Sequence, residues 1–72
     1  MKVVIAYGLV AFITRNRATD SAQVEIREKT TLNASGEWRL GDMLEDYETA
    51  NAGAAASARR SMKKLAQAKA AA

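Results

Sequence analysis

Seventy-two residues, 49% of them apolar but with a single Trp and a single Phe, make one small domain, near the size at which a core barely offsets chain entropy. The absence of both Cys and His excludes disulfide staples, ordinary zinc sites, thiol nucleophiles and an imidazole base. An unstapled chain this short gains its remaining stability by assembling with something, so a protein partner, including a second copy, is expected.

The net charge of +3 is laid out unevenly. Residues 1–36 are mixed in sign. Residues 37–48 carry the acids Glu37, Asp42, Glu45, Asp46 and Glu48 against Arg39 alone, whereas residues 49–72 carry Arg59, Arg60, Lys63, Lys64 and Lys69 and no acid.

Lys2 to Arg15 is a mostly apolar run whose β-branched Val3, Val4, Ile5, Val10 and Ile13 favour strand over helix, although periodicity alone leaves both open. Gly8 within it reads as a bulge or close-approach point. The uncharged part, Val3 to Thr14, is well short of the ~20 residues that cross a bilayer as a helix and is poorly framed as a signal peptide. A cytoplasmic protein is expected, with a membrane-associated N-terminus as the alternative.

Asn16 to Ser21 is polar and turn-like. Val24, Ile26, Thr30 and Leu32 then alternate with Glu25, Arg27, Lys29, Thr31 and Asn33, the period of a half-solvated strand. Asn33-Ala34-Ser35-Gly36 reads as a turn and Trp38 to Leu40 as a short third strand. Closing the first two strands through Asn16–Ser21 sets Ile13 opposite Val24, Ala11 opposite Ile26 and Ile5 opposite Leu32. One face then carries Val3, Ile5, Leu9, Ile13, Val24, Ile26 and Leu32. The reverse face keeps Val4, Val10 and Phe12 among charged residues, which implies that a second body covers it.

From Asp42 onward a helical period takes over. At ~100° per residue Leu44, Tyr47, Asn51, Ala54, Ala58, Met62 and Leu65 fall within about 80° of arc, and Asp42 with Glu45 forms a capping-box pattern after Gly41. The expected architecture is α+β: an antiparallel hairpin or three-stranded sheet over 2–40, one long Ala-rich amphipathic helix over 42–69 with a weak point at Gly53, and a frayed tail at 70–72.

No constellation carries catalysis. Ser21, Ser35, Ser57 and Ser61 have no activating neighbour in sequence, and no glycine-rich phosphate loop is present. The acids Asp42, Glu45, Asp46 and Glu48 read as carboxylates favoured by a helix N-terminus more than as ligands for a hard cation. No enzyme, cofactor, metal or small-molecule substrate is expected.

Two binding classes remain. Arg59, Arg60, Lys63 and Lys64 share about 140° of a helix and form a basic patch able to follow a phosphate backbone, but no aromatic stands among them to stack on bases. The preferred class is protein association, with self-association favoured, through Val4, Val10 and Phe12 on the reverse sheet face and Leu44, Tyr47, Ala54, Ala58, Met62 and Leu65 on the helix stripe. That stripe either packs on the chain's own sheet or crosses a second copy antiparallel near Ala54, which would set acidic first halves beside basic second halves. In size and layout the chain resembles compact phage-borne inhibitors, anti-CRISPR proteins among them, and minor virion components. The likeness assigns no residue roles.

Overall fold

Tyr7 and Gly8 decide the course of the N-terminal run. Both have positive φ, 53° and 72°, the signature of a two-residue type I′ hairpin turn, whose twist matches that of the strands it joins. In the computed structural model, which describes residues 1–32 and 38–71, the run therefore folds back on itself as β1 (Lys2–Ala6) and β2 (Leu9–Asn16). Gly8 is part of this turn, not a bulge in one long strand. Ile5 accordingly pairs with Val10 and not with Leu32, while Ile13 opposite Val24 and Ala11 opposite Ile26 stand as expected.

The turn also resets which residues share a face. A two-residue turn places Ala6 opposite Leu9 and Val4 opposite Ala11, so even positions of β1 join odd positions of β2. Val4 enters the core and Val3 and Ile5 leave it. Strand alternation alone, carried through Gly8, yields the opposite assignment.

A polar connection follows. The Asn16 side-chain oxygen accepts the Ala18 amide at 3.1 Å, and Arg15 reaches Asp20 at 3.4 Å. Asp20 itself sits at φ 52°, a left-handed conformation that Asp tolerates better than most residues. The chain then continues as β3 (Ser21–Leu32) and β4 (Trp38–Ala50), completing an antiparallel sheet ordered β1-β2-β3-β4, and ends in α1 (Ala54–Ala71). The turn expected at Asn33-Ala34-Ser35-Gly36, and Glu37 after it, lie outside the described residues.

The fold is α+β, with two boundaries corrected. Residues 42–50 are strand, and the helix begins at Ala54 and runs through Ala71. Leu44, Tyr47 and Asn51 are therefore not on the helix, and Asp42 and Glu45 cap nothing. From Glu45 to Ala50 half-buried and exposed residues alternate strictly, a period of two that the thin apolar content of this stretch conceals. The free edge of the twelve-residue β3 supplies the backbone partners that override a weak local helix signal.

The helix starts where the sequence places its weak point. Gly53 at φ +82° turns the chain off β4, and its carbonyl accepts the first helical bond, from the Ser57 amide at 2.9 Å. The Asn51 amide donates to the Asp20 carbonyl at 3.1 Å, pinning the start of the helix beside the β2–β3 connection. Ala54, Ala58 and Met62, at i, i+4 and i+8, lie buried against Val4, Leu9, Ala11, Ile13, Ala22, Val24 and Ile26. Ala at two of these three helix positions lets the backbone approach the sheet closely, and Met62, fully buried, fills what remains. Tyr47 and Leu65 pack on the edge of this core. The Tyr47 hydroxyl lies 2.8 Å from that of Ser57 and accepts from Ser61 at 3.4 Å, clasping α1 to β4.

Candidate protein-binding surface

Register and alternation define what lies on the face away from α1. One cross-strand row is Val3, Phe12, Glu25 and Asp46; the next is Ile5, Val10, Arg27 and Met43. Val3, Ile5 and Met43 are 49%, 61% and 50% exposed, Phe12 is half-buried, and Val10, in the middle of its row, is 6% exposed. Large apolar side chains thus stand in water on β1 and again on the far edge at β4, with half-buried Phe12 and buried Val10 between them.

The charged members of these rows are tied together. Arg27 donates from Nε to Glu25 at 2.7 Å, and from a terminal nitrogen to the Gly41 carbonyl at 3.2 Å. Both side chains are about one third exposed, so the pair lies along the sheet rather than reaching into solvent. Gln23 donates to Asp46 in the same way. The outcome is a face apolar over β1 and β2 and self-neutralised over β3. Opposite Ile26 and Arg27 the ladder skips a residue of β4, leaving Leu44 unmatched and 38% exposed in a bulge.

The expected interface residues divide. Val4, Ala54, Ala58 and Met62 are buried in the chain's own core, and Tyr47 and Leu65 pack against it, so the helix stripe serves this chain's own sheet and is not open to a second helix. Val10, Phe12 and Leu44 remain outside that core. Sequence reasoning missed Val3, Ile5 and Met43. The Tyr7-Gly8 turn was the signal for the first two, since a Gly preceded by a residue in left-handed geometry closes a hairpin and inverts the parity of what precedes it.

Arg59, Arg60, Lys63 and Lys64 all point to solvent from the side of α1 opposite the core. Among the described residues none of the four forms an ion pair, whereas Lys69 reaches back to Glu28 on β3 at 2.9 Å. Asp42, Glu45, Asp46 and Glu48 are spread along β4 and not gathered at a helix end.

An open crease of about 470 Å³ between the start of β1 and the start of α1 is lined by Lys2, Ile13, Arg15, Asn51 and Ala54 among others. No polar or charged side chain among the described residues is buried. No helix among the described residues is long and apolar enough to cross a membrane. Comparison with protein-family models, curated proteins and solved structures finds no match.

Proposed function

We propose that this chain is a non-enzymatic protein-binding module that works through the open face of its sheet. The observation that carries the reading is one-sided coverage: the only helix among the described residues lies on one face, and Val3, Ile5, Phe12 and Met43 stand on the other. A chain of 7.8 kDa that folds as a closed monomer exposes about 4,400 Å², against 5013 Å² here. Its radius of gyration is 13.0 Å, with extents of 41 × 31 × 15 Å, where about 11 Å is typical of a compact chain of this length. The molecule has the proportions of a half-covered slab, and a partner laid on the bare side removes the most apolar surface from water per contact.

The test is site-specific cross-linking in producing cells, from the solvent side of Ile5 and separately from that of Lys63. Cross-links to protein from Ile5, lost when Val3→Glu is added, support the reading. Protein cross-links from Lys63 alone overturn it.

A second reading rests on the four solvent-facing cations of α1. Contact with a phosphate backbone through Arg59, Arg60, Lys63 and Lys64 would give salt-dependent retention on duplex DNA, lost in Arg59→Glu/Lys63→Glu and untouched by Ile5→Lys. A phage-type inhibitor or minor virion component remains a biological setting in which either surface would serve.

A further inference from the structure

We infer that the occupant of the open sheet face is a second copy of this chain, stacked face to face about a two-fold axis that runs across the strands between the Val3–Phe12–Glu25–Asp46 row and the Ile5–Val10–Arg27–Met43 row. The inference rests on the protein-binding reading and deepens it.

An isologous pair brings the same patch against itself, so the patch must be complementary to its own rotated image. Rotation about the stated axis exchanges the two rows while each strand stays over its own counterpart. Val3 then meets Ile5 of the second copy, and Phe12 meets Val10. On β3, Glu25 meets Arg27 of the second copy and Arg27 meets its Glu25; on β4, Asp46 meets Met43 of the second copy and keeps its own chain's Gln23 as a donor. Each existing intrachain pair, 2.7 Å within its own strand, gains an opposite charge from across the interface, and the two pairs close into one alternating cluster near the axis. Aligned sheet packing keeps strand directions within about 30°, and contacts near the axis tolerate that rotation.

The other two-fold choice, an axis parallel to the strands, fails this self-complementarity. It lays β1 over β4 and β2 over β3 of the second copy, setting Val3 against Asp46 and Phe12 against Glu25. All three charged members, Glu25, Arg27 and Asp46, would then lose water against apolar neighbours, whereas the first axis does this to Asp46 alone and gives Glu25 and Arg27 each an opposite charge. The rows as they stand therefore select one orientation.

Area sets the strength. Two rows of four side chains per copy make a small contact, at the lower end of specific interfaces. A reversible dimer is expected, not an obligate one.

Sedimentation equilibrium of the full chain, from about 10 μM to 1 mM, reads the outcome by mass action. The expected result is a mass rising from 7.8 kDa toward twice that value. Glu25→Arg should raise the dissociation constant by about tenfold or more, because the introduced guanidinium would then face Arg27 of the second copy. The exchanged variant Glu25→Arg/Arg27→Glu should return it to within about threefold. Circular dichroism of each variant confirms the fold, which exposed or half-exposed positions leave intact. A mass fixed at the monomer across the range overturns the inference. If cross-links from Ile5 to other proteins persist in that case, the protein-binding reading stands without it. A dimer that ignores Ile5→Lys joins through another surface and overturns the inference, while the cross-links from Ile5 decide the protein-binding reading separately.

Discussion

The two-residue turn at Tyr7-Gly8 determines which side chains the open face presents, and it is testable by substitutions that touch nothing else. Gly8 has φ +72°, and a Cβ built there meets no atom within 4 Å. The cost of Gly8→Ala is then purely conformational. An L-residue in left-handed geometry costs about 1–2 kcal/mol, offset by about 0.4–1 kcal/mol from the reduced freedom of the unfolded chain. At the middle of both ranges the net loss is about 0.8 kcal/mol. For a domain of this size that is roughly 3–6 °C in Tm. Tyr7→Asn should act in the opposite direction. Tyr7 holds φ 53° with its side chain largely exposed, whereas Asn-Gly is the preferred pair for this turn. A gain of about 0.5 kcal/mol follows from the several-fold preference of Asn for positive φ. Thermal melts followed by circular dichroism, with urea midpoints at constant m-value, measure both. If Gly8→Ala is neutral or stabilising while Tyr7→Asn destabilises, the turn is not of this type. The parity that puts Val3 and Ile5 outside would then fall with it.

Further perturbations probe the core and its clasp. Met62→Ala removes a fully buried side chain and should cost about 2–5 kcal/mol, a large share of the roughly 4–11 kcal/mol available to a chain of this length; a urea midpoint within experimental error of the parent would contradict the packing of α1. Tyr47→Phe deletes the hydroxyl shared with Ser57 and Ser61 and should cost about 0.5–1.5 kcal/mol, seen as a lower urea midpoint at unchanged slope. Lys69→Ala breaks an ion pair whose lysine is 69% exposed, so a loss above about 1 kcal/mol in the same titration would be inconsistent with a solvated pair.

What was legible in the sequence follows the strength of each local pattern. Val24 and Ile26 alternate with Glu25 and Arg27 on one half-solvated strand, and the β2–β3 register came directly from that alternation and the polar connection. The core-facing Ala54, Ala58 and Met62 were found for the same reason, in a segment where helix formers dominate. The stretch from Asp42 to Ala50 was misassigned because Leu44 and Tyr47, three apart, fit a helix, while the period of two runs through Glu45, Tyr47 and Thr49 with one apolar member. Only the unpaired edge of β3, a feature of tertiary structure, decides between them. The surface was lost at Gly8: a glycine in an apolar run signals a bulge and a turn equally well, and the two place Val3 and Ile5 on opposite sides of the sheet.

The sheet's edges help explain why a face, not an edge, is the surface proposed for contact. β1 has five residues, too few for a long intermolecular ladder. β4 has thirteen, but it carries Asp42, Glu45, Asp46 and Glu48 and is broken by register shifts, with Leu44 unmatched. Two copies paired antiparallel along β4 would set carboxylates across from carboxylates, and the bulge would prevent a continuous ladder; charge and bulges are the means by which natural sheets discourage such pairing. The outer side of α1 repels its own image as well, through Arg59, Arg60, Lys63 and Lys64. Among these surfaces, the open face is the one on which an identical copy sets opposite charges together, because Glu25 and Arg27 sit on the same strand in adjacent rows. That arrangement links the assembly to the hairpin turn. Shift β1 by one residue against β2 and Val3 and Ile5 exchange places with Val4. Phe12 then stands opposite Lys2, or Val10 opposite Ala6, according to the direction of the slip, and the self-complementary rows are destroyed.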